Sequence, residues 1–187
     1  MAKQHIFLIV LFSLATMAAK SNGATPIKEF LQNIDQVKSK VTELQLYVQD
    51  IFTSPTPSNL PVAFANSTSA SPTLFGLVAV LDDPIRVEPK PDAMIVGQAQ
   101  GFFAFSSLED TSFHMTFDLV FTRGRYNGST LNVMGHNAYM QPRRELSIVG
   151  GTGAFRLARG IIGVSTVSMN ATTGDAFFQY NITILHY

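Results

Sequence analysis

Two ionisable side chains fall where an apolar strand face is expected. From residue 43 onward the period is two, and Asp50 shares its parity with Leu44, Leu46, Val48 and Phe52. Arg144 likewise falls with Leu146 and Ile148, and Asn137 with Leu131 and Val133. Phe103 and Phe105 add two aromatic rings on one face of a fourth stretch. If these faces line one cavity, its apolar walls hold a carboxyl, a guanidinium and an amide, which suits a flat aromatic ligand with a few polar edges. A carboxyl in such a place could hand a proton to that ligand. Desolvation raises its pKa and Arg144 lowers it, and the residue pattern alone leaves the balance open. The other reading is a buried Asp50–Arg144 ion pair that does no chemistry.

The stretch from Arg144 to Gly160 also carries Gly150, Gly151 and Gly153. Glycines supply the positive φ angles of a tight reversal, so a β-hairpin turn is expected here, with Phe155 restarting an apolar segment. A phosphate-cradling loop fails on spacing, because no third glycine follows at the required interval and Gly160 interrupts the helix such a loop must open.

Composition narrows the chemistry. The 187 residues, 46% hydrophobic, suffice for one domain with a real core. Thirteen basic residues balance thirteen acidic ones, so net charge gives no argument for a nucleic-acid partner. The chain has no cysteine, which removes disulfides, thiolate nucleophiles and sulfur-ligated metals together. His5, His114, His136 and His186 are scattered without metal-ligand spacing, and no metal or cofactor is expected. His136 falls on the parity opposite to Asn137 and is expected on the surface or at an interface.

The first residues point to export. Lys3 precedes an apolar run from Ile6 to Ala15, and small residues gather at Ala18, Ala19, Gly23 and Ala24, so 1–24 reads as a cleaved secretory signal peptide rather than a membrane anchor. Sequons at Asn66, Asn127, Asn170 and Asn181 agree with a secreted glycoprotein. Asn181 lies in a strand, on the parity opposite to Phe178, Tyr180, Ile182 and Ile184. Residues 25–42 form an N-terminal extension with near-helical apolar spacing at Ile27, Phe30, Leu31, Ile34, Val37 and Val41.

The remaining 43–187 reads as one all-β domain. After the first strand, the Pro55 to Pro72 segment gives no strand signal and is expected to be a long loop covering a site. Seven more strands follow at about 73–81, 93–106, 112–122, 128–139, 144–149, 154–168 and 175–187. Turn chemistry joins them, including Asp82-Asp83-Pro84, Glu109-Asp110, Tyr126-Asn127-Gly128 and Thr173-Gly174-Asp175, with no helix long enough for a parallel crossover. An eight-stranded antiparallel β-barrel is the expected fold, with a two-sheet sandwich as the alternative.

Five segments, in order, resemble the plant dirigent proteins: Tyr47-Val48-Gln49-Asp50-Ile51, Gln98-Ala99-Gln100-Gly101-Phe102, Tyr126-Asn127-Gly128-Ser129-Thr130-Leu131, the Arg144 to Gly160 run, and Tyr180-Asn181 to His186. The resemblance implies a barrel of the dirigent and allene-oxide-cyclase kind, glycosylation, secretion to the apoplast or cell wall, and a homo-oligomer, trimer or dimer, with no membrane attachment after cleavage. It implies a protein that orients phenoxy radicals of monolignols such as coniferyl alcohol, made by a separate laccase or peroxidase, so that lignans form with one handedness. Some relatives instead dehydrate isoflavanols to pterocarpans through a quinone-methide-like intermediate; a carrier of small aromatic molecules is the third possibility. The resemblance assigns catalytic roles to Asp50 and Arg144 and ligand contact to Phe103, Phe105, Asn137 and Phe178. Gln49 stands where the family has histidine, Asn137 where lignan-forming members have aspartate, and Phe103 and Phe105 where they have tyrosines. If the sequons are used, glycosidase treatment lowers the apparent mass of the purified protein; an unchanged mass with the leader still attached contradicts the export reading.

Overall fold

The structure is a computed structural model that describes residues 26–36 and 38–187; the predicted signal peptide, 1–24, lies outside the described residues. The N-terminal extension holds only a short helix, α1 (Ile27–Gln32), with no buried residue, and a 3-10 turn at Ile34–Gln36. Barrel pairing starts earlier than the predicted boundary at 43, because β1 (Lys40–Asp50) runs beside the last strand from its first residue.

Eight further strands follow: β2 (Asn59–Ala63), β3 (Val78–Arg86), β4 (Ile95–Phe105), β5 (Phe113–Phe121), β6 (Thr130–Asn137), β7 (Arg144–Thr152), β8 (Arg159–Met169) and β9 (Ala176–His186). From β3 to β9 each pairs antiparallel with the next, β9 pairs with β1, and β1 returns to β3. The sheet therefore closes. Its nine strands fill eight positions, since β1 pairs with Ile85 and Arg86 of β3 while β2 pairs with Val78 to Leu81 of the same strand. The expected eight-stranded antiparallel barrel is present, and closure leaves no sandwich.

Two stretches differ from expectation. The long loop contains β2, whose Pro61 is tolerated because β2 pairs on one side only. Asp82-Asp83-Pro84 is the middle of β3 and not a turn. Asp82 N donates to Ser58 O, so Pro84, two residues on, turns its nitrogen to the same side, into the gap between β1 and β2 where no ladder bond is lost.

The interior divides along the barrel axis. One end is packed solid by Ile85, Leu119, Leu131, Leu146, Ile162, Ile182 and Ile184 and plugged by Phe155. His186 is buried there: its Nδ1 donates to Ala154 O (2.8 Å), Nε2 faces Thr42 Oγ1 (2.9 Å), and its ring meets Phe155 edge-on. The other end is open. Among the described residues no helix is long and apolar enough to cross a membrane.

The glycine-rich run works differently from expectation. Gly150 and Gly151 lie inside β7, opposite Asn132 and Leu131 of β6, and of the three only Gly153 has positive φ (62°). Leu157 (φ 56°) supplies the other left-handed residue of the connection. Gly151 is required by close approach instead, since a Cβ there would lie 2.6 Å from Phe155 O and 2.7 Å from Thr130 O. Gly151→Val should cost about 1–3 kcal/mol through this overpacking, seen as a lower melting temperature; an unchanged melting temperature contradicts the close approach.

Candidate functional site

The open end of the barrel is a cavity of about 380 Å³, lined by residues of β1 to β9 and of the loops at that end. Asp50, Arg144, Phe103, Phe105, Asn137 and Phe178, all singled out in the sequence, border this one space. Their strands bring them together because each belongs to an inward parity: Asp50 follows Leu46 and Val48, and Arg144 precedes Leu146 and Ile148.

Asp50 does not face Arg144 as an ion pair. The β1–β3 register, Tyr47 with Arg86 and Val48 with Ile85, continues to put Asp50 opposite Asp83. The two carboxyls hydrogen-bond to each other. Asp83 Oδ1 also accepts from Ser58 Oγ (2.5 Å) and Asn59 Nδ2 (2.7 Å) at the start of β2. Burial pushes Asp50 up from 3.8 to about 6, opposed by the hydrogen bond from Asp83 and the charge of Arg144. Burial and then the negative charge of Asp50 hold Asp83 well above its ordinary value. Two carboxyls in contact cannot both ionise cheaply, so the pair retains one proton, carried on Asp83 and donated to Asp50.

Arg144 spends its guanidinium elsewhere: Nη1 donates to Tyr139 O (2.9 Å), Nη2 to Thr166 Oγ1 (3.0 Å), and the group lies 5.3 Å from the Phe178 ring centre. Its Nε is buried without a partner. Asn137 donates weakly to Met115 Sδ (3.3 Å), and its Oδ1 is also buried without a partner. Phe103, Phe105, Phe113 and Tyr139 form an aromatic cluster with ring centres 4.7–6.2 Å apart. The cavity thus joins a proton-holding carboxyl pair and a cation to a broad aromatic surface.

Sequence reasoning missed Asp83, Ser58, Tyr139 and Tyr180. Asp83 had a signal, its parity with Ala79, Leu81 and Ile85, but Pro84 made the stretch read as a turn. Ser58 lay in a segment without periodicity. Outside the cavity, Asn66, Asn127, Asn170 and Asn181 are exposed, as is His136, opposite His114 on the next strand. Among the described residues no group of three or more His, Asp or Glu is arranged to hold a metal ion.

The chain matches the dirigent-like protein family over residues 41–185. It is 41% identical over 151 residues to pterocarpan synthase 1 of Glycyrrhiza echinata, covering 80% of each chain. It is 42% identical over 149 residues to dirigent protein 23 of Arabidopsis thaliana, again covering 80% of each. Among solved structures, a pterocarpan synthase dirigent protein superposes with a TM-score of 0.75 at 42% identity, covering 81% of this chain and 87% of that one.

The carboxyl pair makes stability depend on pH with a definite sign. A raised folded pKa contributes stability below the unfolded value of 3.8 that is lost as pH rises through the folded value. Asp83→Asn keeps the acceptor for Ser58 and Asn59 and a donor for Asp50, and removes the ionisation. The variant should melt above wild type at pH 7, with the gain shrinking on acidification and gone below pH 3.8. Thermal scans across this range check it, and a variant destabilised at pH 7 contradicts the shared proton.

Proposed function

The chain belongs to the dirigent family, and from that premise we propose that it is a dehydratase of the pterocarpan-synthase kind, acting on an isoflavanol. One observation carries the reading: the cavity holds a carboxyl pair that keeps a proton near neutral pH, which is what expulsion of a hydroxyl as water requires. The pair's proton goes to the benzylic hydroxyl oxygen of the substrate. The C–O bond breaks with its electrons on the departing water, and loss of a phenolic proton elsewhere leaves a quinone methide. A second phenolic hydroxyl of the same molecule then closes the ring on that carbon. A proton returns to the carbonyl oxygen of the quinone methide to restore the phenol, and the ring-closing hydroxyl's proton goes back to the carboxylate. The sum is loss of one water without net oxidation.

Arg144 fits this sequence as a cation that stabilises negative charge on a phenolic oxygen. The cluster around Phe113 offers faces for two flat rings. Identity of 41–42% to pterocarpan synthases supports the same reading.

Guidance of monolignol radical coupling, which the sequence put first, becomes the second reading. It asks the cavity only for orientation and gives a shared proton no task. The dirigent relatives from Arabidopsis thaliana keep it in view. Secretion and glycosylation remain part of the proposal, supported by the exposed sequons. So does self-association, supported by Leu60, Val80, Phe102 and Met134, which lie exposed on the outer wall across β2 to β6.

Incubation with an isoflavanol and no oxidant should give a pterocarpan. Asp50→Asn should still bind the substrate but form product ~10²-fold more slowly. Chiral lignan from coniferyl alcohol and laccase, with no isoflavanol turnover, would move the assignment to the guide; neither product would leave a carrier.

A further inference from the structure

The floor of the cavity holds a phenol that the scheme above does not use. Tyr180 sits on β9 between Leu46 of β1 and Val164 of β8, one inward position deeper than Phe178. Its ring is buried against Phe117, with centres 6.3 Å apart, and it borders the cavity. The hydroxyl has no hydrogen-bond partner among the described residues. A phenol in an apolar wall normally finds one, and this hydroxyl is not among the polar atoms closed off from solvent, so it opens on the cavity. The Asp50–Asp83 pair and Arg144 are the ionisable groups within electrostatic reach of it. Burial and the two carboxyls raise its pKa beyond any working pH, so the group stays a neutral donor.

Building on the dehydratase reading, we propose that the Tyr180 hydroxyl is a substrate-contacting hydrogen-bond donor that holds the ligand oxygen facing Asp50, and so selects ligands oxygenated at that carbon. Asp50 is committed to Asp83, and Arg144 Nη1 and Nη2 to Tyr139 and Thr166, so the Tyr180 O–H is the uncommitted neutral donor beside the carboxyl pair. Two cavity-lining residues, Arg144 and Asn137, also keep an unpartnered polar atom, but their Nε and Oδ1 are closed off from the cavity, whereas the Tyr180 hydroxyl is not among such closed-off atoms. Tyr139, the other phenol on the cavity, stacks on Phe113 at 5.4 Å in the aromatic cluster, and burial alone raises its pKa, with no contribution from the carboxyl pair.

Non-reacting ligands test this without turnover. An isoflavanone carries a carbonyl oxygen at the carbon in question, and the matching isoflavan carries none. Calorimetric titration of wild type should show preference for the isoflavanone. Tyr180→Phe removes a hydroxyl that bonds to no described residue, so it should fold and melt at or above the wild-type temperature. It should reduce the preference by about 3–10-fold, chiefly by weakening isoflavanone binding. Tyr139→Phe should leave the ratio unchanged. An unaltered ratio in Tyr180→Phe, or an equal loss in Tyr139→Phe, overturns the assignment while leaving the dehydratase reading to stand or fall on isoflavanol turnover. If wild type turns over an isoflavanol yet shows no preference, the Tyr180 role alone fails. If it neither turns over the isoflavanol nor binds either analogue, both fail. A Tyr180→Phe protein that melts below wild type contradicts an uncommitted hydroxyl and overturns the proposal as well.

Discussion

Two residue pairs, Tyr47 with Arg86 and Val48 with Ile85, close the barrel between β1 and β3. Beyond them β1 ends at Asp50 and the chain loops out, returning at Ser58 to pair with β3 again as β2. This interruption lets two carboxyls meet on one wall. A continuous ladder would have surrounded Asp50 and Asp83 with regular strand neighbours. The break brings Ser58 and Asn59 onto Asp83 instead, and these donors partly offset the desolvation that would otherwise neutralise both acids. Closure and chemistry therefore share a structural cause.

The loop that makes this possible is itself tied down. Asp175, in the β8–β9 turn, accepts hydrogen bonds from Phe52 N (2.7 Å), Thr53 N (3.3 Å) and Thr53 Oγ1 (2.6 Å). The Phe52 ring lies over Gly174, where a Cβ would come within 3.3 Å of it. Thr53 first, then Phe52, hold the Asp175 carboxyl below its ordinary value. Three aspartates thus take opposite directions on one rim. Asp175, in solvent with three donors, stays charged and acts as a clasp, while Asp50 and Asp83, in an apolar wall with each other, keep a proton.

Much of the barrel could be read from the sequence because period-two patterning reports burial directly. The same parity that put Asp50 with Leu46 and Val48 put it inside. Where the reading failed, a local signal outweighed a longer one. Pro84 marked a turn because proline rarely lies within a strand, and its tolerance depends on a gap between two partner strands that are distant in sequence. Gly151 looked like turn chemistry, but a glycine needed for close approach reads identically to one needed for positive φ. The partner of Asp50 was illegible for a related reason: Arg144 offered an obvious opposite charge, whereas the like-charged neighbour is set by strand register.

The division of the interior explains how such a site is tolerated. In the packed end Phe155, Ile162, Ile182 and Ile184 fill the space between strands, each side chain buried against others of its kind. The open end is less favourable by construction, leaving Arg144 Nε and Asn137 Oδ1 without partners in the wall. Each such atom costs about 1–3 kcal/mol while unpaired. Both atoms are closed off from the cavity, so that cost stands whatever enters, and the polar groups that a ligand can meet are others, the Tyr180 hydroxyl among them. Discrimination therefore rests on the polar groups that open on the cavity, and the aromatic cluster contributes affinity that any flat ring could share. An interior filled throughout like its lower half would be more stable, and it would have no means of telling one polyphenol from another.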